Sequence, residues 1–209
     1  MSSSQTTGTP ASAENVAVAA EGKYGQGGVP PSGAMERFLS YDVEAFEVPG
    51  GREENWRFTP MKRLHGLHDG SATFDGTAVI DVAGAGDGVT VETVGRDDAR
   101  IGKGGIPADR VAAQAWSAFR EATVVTLDGA PEPVTITLTG PGAGSTAVAH
   151  LQVRTTPHAQ ATVVVEGRGS GALADNIEFV VADGSKLTVV VTEEWADDAV
   201  HVSGQHIAL

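Results

Sequence analysis

The chain has no cysteine among its 209 residues. Without a thiol it cannot form a disulfide, cannot use a thiolate as a nucleophile and cannot bind a metal through cysteine sulfur. Thiol chemistry is therefore excluded for this chain. A cytoplasmic location is the default expectation for a protein of this kind.

Basic residues and long apolar runs are also scarce. Lys and Arg number 14 against 27 Asp and Glu, which gives a formal net charge of −13. Binding to nucleic acid or to an anionic membrane surface needs a positively charged face. No apolar run approaches the ~18–20 residues of a membrane span, and the N-terminus lacks the signal of a secretory leader. We expect neither nucleic acid nor a membrane among the partners.

Large apolar side chains are almost missing from the first 33 residues, which are mostly Ser, Thr, Ala, Gly and Pro. Such a segment cannot bury enough surface to offset the entropy lost on ordering. The sequence therefore predicts a disordered tail over residues 1–33.

The second half of the chain, residues 123–209, consists of short segments rich in Val, Ile, Leu and Thr. β-branched side chains suit a pleated, packed surface, and Gly, Pro, Asp and Asn between the segments mark turns. Seven strands are predicted: Thr123–Leu127, Val134–Leu138, Ala147–Arg154, Ala161–Val165, Asn176–Ala182, Leu187–Thr192 and Ala199–Val202.

The centres of these segments recur at a nearly constant spacing. One series has spacings of 26 and 26 residues and the other of 27 and 26, with centres at Val125, Leu151 and Ile177 and at Ile136, Val163 and Val189. Two interleaved series with one repeat predict a parallel β-solenoid, or β-helix. A two-sheet sandwich or a cupin-like barrel is the alternative, because a Val- and Thr-rich chain also gives such spacings by chance.

Residues 34–122 are predicted to form a small, partly helical α+β domain before the β-helix core of residues 123–209. A Thr-Pro pair is a good helix start, and an apolar stripe at helical spacing indicates a packed helix. The predicted elements are one helix or two short pieces in Ala34–Phe46, a short helix Pro60–His65 capped by Thr59, strands Ala78–Val82 and Val89–Val94, and a helix Asp109–Glu121.

No catalytic, cofactor-binding or metal-binding residue is predicted, and the chain is not expected to be an enzyme. The glycine loops at 140–146 and 102–105 lack the following helix and the strand–loop context of a phosphate site. His65 and His68 are separated by Gly66, His150 and His158 lie on different segments, and His201 and His206 should point to opposite faces of a strand.

The acidic run Glu193–Asp198 follows a strong strand. Paired carboxylates can bind a hard cation or act as acid and base, but a solvated turn that protects a sheet edge is the favoured interpretation. There is no Gly-x-Ser-x-Gly motif for a nucleophilic serine. The charged stretch Arg52–Arg57 around Trp56 suits either a connector anchored by the Trp or a recognition patch.

Two stretches resemble the SufB/SufD family of iron–sulfur cluster assembly proteins. Residues 48–70, with a Glu-x-Trp-Arg-x-Thr-Pro core at 54–60, are similar to the N-terminal signature of its SufD branch, in the longer form of actinobacterial members. Residues 169–201 resemble the core of the same branch. The resemblance covers about residues 40–209.

The resemblance implies a right-handed parallel β-helix after a partly helical N-terminal domain. It also implies a non-catalytic scaffold that works with a SufB-like subunit, which carries the nascent cluster, and a SufC-like ATPase, with a role in acquiring iron and no cofactor of its own. The alternative is a stand-alone cupin-like module that binds a metal or small ligand. It predicts that the isolated domain holds stoichiometric metal, which is lost when His201 or His206 is changed to Ala.

Family members continue beyond the point that matches Leu209, and the SufC-binding surface is expected in that further part. The chain ends in the apolar residues Ile207-Ala-Leu209 with no cap on the last coil. We therefore expect an incomplete β-helix core and a fragment or truncated product.

Overall fold

The computed structural model of the protein describes residues 38–209. The predicted tail and the start of the stretch that begins at Ala34 lie outside these residues. Within the described range, no helix is long and apolar enough to cross a membrane.

The described residues are mainly β. Three short 3-10 helices precede or flank the strands at Val43–Ala45, Glu54–Trp56 and Met61–Arg63, and one α-helix, α1, spans Arg110–Ala118. The strands are β1 Val79–Ala83, β2 Val89–Gly95, β3 Glu121–Leu127, β4 Val134–Thr139, β5 Thr146–Thr155, β6 Gln160–Gly169, β7 Ala172–Val180, β8 Lys186–Trp195 and β9 Val200–Ala208.

From β3 to β9 the chain alternates between two sheets. Sheet A has the order β1-β4-β6-β8 and sheet B the order β2-β3-β5-β7-β9. Successive strands of the coil pair in parallel within each sheet. The fold is a β-solenoid of about three turns, which confirms the predicted coil. Parallel pairing excludes the sandwich and barrel alternatives, and the right hand of the coil stays a prediction.

The register differs from the predicted spacing in the first turn. Val125 pairs with Val153, 28 residues on, instead of with Leu151, whereas Leu151 pairs with Ile177 at the expected 26. In sheet A, residue 136 likewise pairs with residue 165 instead of 163. Each predicted partner is wrong by two residues. Every apolar side chain still points to the predicted face of the sheet, because side chains alternate with a period of two.

The interior of the solenoid is apolar. Alternate side chains of both sheets point inward and pack into one core of buried Val, Ile, Leu, Ala and Phe. Its members are Val125, Leu127, Val134, Ile136, Leu151, Val153, Ala161, Val163, Val165, Ile177 and Phe179.

β1 and β2 extend the two sheets at the start of the coil. β1 pairs antiparallel with β4 and β2 pairs antiparallel with β3, so both edges of the first coil are covered. β3 thus runs across the predicted boundary between residues 122 and 123. The division into two domains at this boundary stays a prediction. β8 and β9 form the opposite edges of the two sheets.

Helix α1 lies against the outer face of sheet B. Its N-cap, Asp109, accepts a hydrogen bond from the backbone N–H of Ala112, and Val111 and Ala115 pack on β7 residues. The helix ends at Ala118 rather than at the predicted Glu121, because Phe119 already has an extended backbone and Glu121 begins β3.

The N-terminal predictions were partly wrong. In the described part of the stretch ending at Phe46, the only helical element is the 3-10 helix Val43–Ala45. The predicted α-helix Pro60–His65 is a single 3-10 turn, Met61–Arg63, and Pro60 takes the cap position given to Thr59. It ends at Arg63, and an α-helix could not continue through His65 and Gly66, which adopt positive φ.

Candidate functional site

Five polar side chains form a layer between the outer face of sheet B and the segments that cover it. They form two rows of cross-strand partners on β5, β7 and β9. The residues between them on each strand point to the opposite face of the sheet, toward the apolar core. The first row holds His150 and Asn176 and the second holds Gln152, Glu178 and His206; we call these five residues the polar layer. All but His206 are at most 1% exposed.

The carboxylate of Glu178 is the centre of the polar layer. Its Oε1 accepts hydrogen bonds from His150 Nε2 at 2.6 Å and from the Gly102 N–H at 2.8 Å. Its Oε2 accepts from the Gly104 N–H at 2.7 Å and from Gln152 Nε2 at 3.1 Å. Burial by itself raises the pKa of Glu178, but these hydrogen bonds outweigh it and hold the pKa below its ordinary value.

The residues Gly102–Gly105, which we call the strap, pass directly over the polar layer. A Cβ on Gly104 would lie 2.6 Å from the Cβ of Glu178, and one on Gly105 would lie 2.9 Å from the Cβ of His206. Only glycine permits so close an approach. This loop was rejected from sequence as a phosphate site, and two of its N–H groups bind an internal carboxylate instead.

Aromatic rings cover the His150 end of the polar layer. The Phe119 ring stacks on the His150 imidazole at a centroid distance of 4.3 Å, and the Trp116 ring meets it edge-on at 5.2 Å. Tyr41 packs on Trp116, and burial together with the charge of Glu178 raises the pKa of Tyr41. The hydrogen bonds to Glu178 are therefore shielded from solvent, where they are stronger than in water.

Four atoms of the polar layer are buried and have no hydrogen-bond partner among the described residues: His150 Nδ1, Gln152 Oε1, Asn176 Oδ1 and His206 Nε2. The Asn176 amide is fixed, because its Nδ2 donates to the carbonyl of Ala112 at 2.9 Å. Burial lowers the pKa of His206 more than the nearby carboxylates of Glu178 and Asp109 raise it. His206 is therefore a neutral imidazole at neutral pH.

A second polar group lies inside the solenoid, near its last turn. His201 Nε2 is 2.6 Å from Asp175 Oδ2, Ser203 donates to the other oxygen of Asp175 at 2.6 Å, and His201 Nδ1 is 3.3 Å from Glu193 Oε2. Burial alone lowers the pKa of His201, but the two carboxylates outweigh it and raise the pKa. The imidazole therefore bridges β9 to β7 and to β8.

The structure corrects the interpretation of the acidic run in part, since Asp197 and Asp198 do lie in an exposed turn. β8 continues to Trp195, so Glu193 lies in the strand and not in a solvated turn. Its carboxylate contacts Trp195 Nε1 and His201. As predicted, His201 and His206 lie on opposite faces of β9, since one contacts Asp175 inside the coil and the other contacts the strap outside.

The structure does not bring the remaining candidate histidines together into a site. His65 is exposed, and the nearest carboxylate to His68 is that of Asp69, at 3.8 Å. Among residues 38–209, no group of three or more His, Asp or Glu side chains is placed to hold a metal ion. A cavity of about 170 Å³ lies between β1, β3 and β5 and reaches His150.

Sequence reasoning missed the polar layer. The signal was present, because His150 and Gln152 on β5 and Asn176 and Glu178 on β7 occupy alternate positions, and the two pairs are one repeat of 26 residues apart. Alternating polar residues usually indicate a solvated face. Only the packing of α1 and the strap shows that this face is buried.

The Trp56 segment is a connector anchored to the core. Trp56 packs against a buried group that includes Leu67 and Val111, and Arg57 pairs with Glu54 at 3.8 Å at its rim. This confirms the first of the two predicted roles. Phe58, in contrast, is 87% exposed.

Comparison with known proteins gives relatives over most of the chain. Iron–sulfur cluster assembly SufBD family proteins of Mycobacterium bovis and Mycobacterium tuberculosis are each 55% identical over 174 residues, which is 82% of this chain and 44% of the relative. A family protein of Mycobacterium leprae is 53% identical over 175 residues, with the same coverage. The chain thus spans less than half the length of these relatives.

Two further comparisons found no match, one with models of protein families and one with solved structures. The identity to the mycobacterial proteins is high, and it must include part of the β-solenoid, because the part of the chain that it leaves out is shorter than the solenoid. The chain therefore belongs to the iron–sulfur cluster assembly SufBD family.

Proposed function

We propose that the chain is a non-catalytic scaffold in iron–sulfur cluster assembly. It would work as the SufD-like partner of a SufB-like subunit and a SufC-like ATPase in the cytoplasm. The observation that carries this proposal is the 53–55% identity, over 82% of the chain, to proteins named for iron–sulfur cluster assembly. The nascent cluster is cargo of the complex, and iron acquisition belongs to the same proposal.

The geometry of the polar groups supports a structural role. The Glu178 carboxylate accepts four hydrogen bonds, so none of its strong acceptor positions is left for a substrate. Asp175 is likewise engaged by His201 and Ser203. Groups that saturate one another in this way hold strands and loops in place and do not act as acid, base or nucleophile.

The proposal is tested by co-expressing the tagged product of the whole gene with SufB-like and SufC-like proteins from the same organism. We expect the three chains to elute together in size-exclusion chromatography, and the tagged chain alone to hydrolyse no ATP. A tagged product that elutes as a monomer and retains neither partner would contradict the proposal. A tagged, unrelated β-solenoid protein serves as the control for nonspecific capture.

A cellular measurement tests the role in cluster assembly separately. Deletion of the gene should lower the activity of iron–sulfur enzymes when iron is limiting, and the wild-type gene should restore it. Normal enzyme activities in the deletion strain under iron limitation would argue against a role in assembly even if a complex forms.

A further inference from the structure

We propose that His150, Glu178 and His206 form a latent binding site for one divalent transition-metal ion, which becomes accessible when the strap lifts from sheet B. The inference stands on the geometry of the polar layer and does not depend on the proposed function.

The three side chains lie on three neighbouring parallel strands and project to the same face. Glu178 and His206 are direct partners in the register of β7 and β9, and His150 Nε2 already touches the Glu178 carboxylate at 2.6 Å. Neighbouring strands are about 4.8 Å apart, which lets their side chains reach one ion. Two imidazoles and one carboxylate are a donor set that suits divalent iron, cobalt or zinc.

In the closed arrangement, the strap satisfies the Glu178 carboxylate on which a metal ion would depend. The N–H groups of Gly102 and Gly104 donate to both oxygens of Glu178, and so they occupy the lone pairs that a cation would take. The N–H groups of the strap and a metal ion would thus compete for the same carboxylate. With the strap in place, no group of three such side chains in the described range is placed to hold an ion.

Unpartnered ring nitrogens favour metal binding once the strap is open. The Nε2 of His206 is buried and has no hydrogen-bond partner in the described part of the chain. His150 donates from Nε2 to Glu178, while its Nδ1 is buried and unpartnered. In the tautomer that carries its proton on Nδ1, His150 presents Nε2 as a ligand.

Hydrogen bonds and close backbone packing, rather than buried side chains, hold the strap on sheet B. Besides the two bonds to Glu178, Gln152 Nε2 donates to the carbonyl of Arg100 at 2.6 Å, and the Tyr41 hydroxyl lies 3.5 Å from the carbonyls of Gly102 and Gly105. The three glycines of the strap bury no side chain. Segments with few apolar contacts open at a lower free energy than the core.

The experiment compares the wild-type chain with Gly104→Ala. The added Cβ would lie 2.6 Å from the Cβ of Glu178, so the strap has to move away while all three ligands remain. Titration with Co²⁺, followed by its visible d–d absorption, should show one equivalent bound several-fold more tightly by Gly104→Ala than by the wild type, since the free energy of opening no longer opposes binding. A merely structural strap predicts no such gain.

The ligands are tested in the Gly104→Ala background. His206→Ala or Glu178→Gln should weaken Co²⁺ binding about 10-fold or more. His65→Asn removes an exposed histidine and should leave the affinity unchanged; Asn is chosen because it tolerates the positive φ of His65. Equal affinities of wild type and Gly104→Ala, or equal affinities with and without His206, would overturn the proposal.

A second measurement uses the wild-type chain alone and so does not depend on the folding of any variant. Saturating Zn²⁺ should speed hydrogen exchange at the amides of Gly102 and Gly104, because the metal replaces their bonds to Glu178. Exchange that is unchanged by Zn²⁺ at these two amides would also overturn the proposal.

Discussion

The imidazole of His201 lies 2.6 Å from the carboxylate of Asp175, across the pairing of β9 with β7. Its other nitrogen is 3.3 Å from Glu193 on β8, and the centroids of the imidazole and the Trp195 ring are 4.6 Å apart. One histidine therefore ties the two edge strands of the coil to the strand beneath them. Because the carboxylates raise its pKa, this tie depends on pH.

Stability should fall as pH rises above the unfolded pKa of His201. A histidine whose pKa is raised in the folded state contributes a stabilisation that is complete below its unfolded pKa of 6.5. This stabilisation is lost as pH rises through the folded pKa. Replacing His201 with Gln should remove this dependence, so the two stability curves should converge toward alkaline pH. The measurement is urea denaturation at a series of pH values from mildly acidic to mildly alkaline. Parallel curves would show that the imidazolium adds nothing.

Replacing Glu178 with Gln should destabilise the fold by roughly 3 kcal/mol, because donors that now meet a buried carboxylate would face an amide. The lowered pKa of Glu178 adds a second expectation: its contribution is present above the unfolded value of 4.5 and is lost as pH falls through the folded pKa. Chemical denaturation at neutral pH measures the change. Glu194→Gln, at an exposed position of β8, is the matched control and should leave the free energy of unfolding unchanged.

Substitution of Trp56 should reduce the stability far more than substitution of Phe58, although the two residues are close in sequence. Trp56→Ala removes an indole that packs on Leu67 and Val111, and we expect a loss of about 2 kcal/mol for a half-buried ring. Phe58→Ala should change the stability by less than about 0.5 kcal/mol, since the ring is 87% exposed. Thermal unfolding of both variants checks this; similar losses would contradict the assigned anchor.

Gly171→Ala should destabilise the turn that stacks the coils. Gly171 has a φ of +85°, and a Cβ there would lie 2.2 Å from the carbonyl oxygen of Gly142. Strain of this kind costs on the order of 1–3 kcal/mol, and the clash adds to it. Gly86→Ala is the matched control, because no atom lies within 4 Å of its added Cβ. Equal midpoints for both variants in urea would contradict the predicted clash.

Much of the fold follows from local sequence patterns. Each of the seven predicted strands overlaps an observed strand, because Val-, Ile- and Thr-rich segments between turn residues favour extended backbone wherever they pack. The repeat also identified the coil. The register of the first turn was missed by two residues, because the length of a turn is set by how one coil stacks on the next and not by the strand residues themselves.

The candidate site was not predictable to the same degree. The alternation of His150, Gln152, Asn176 and Glu178 is visible in the sequence, but it is equally typical of a solvated sheet face. The prediction that Glu193 lies in a turn was also wrong. Whether a strand continues through a carboxylate depends on the partner of that carboxylate, which here is His201.

The sequence by itself determined the repeating β-coil, the helix that begins near Asp109 and the family, because strand propensity, helical periodicity and motif identity are properties of neighbouring residues. The tertiary structure alone decided that the polar face of sheet B is buried. Glu178 meets Gly102 and Gly104 across more than 70 positions of chain. Contacts over such distances arise only when the coil, α1 and the strap pack together, and local patterns carry no record of them.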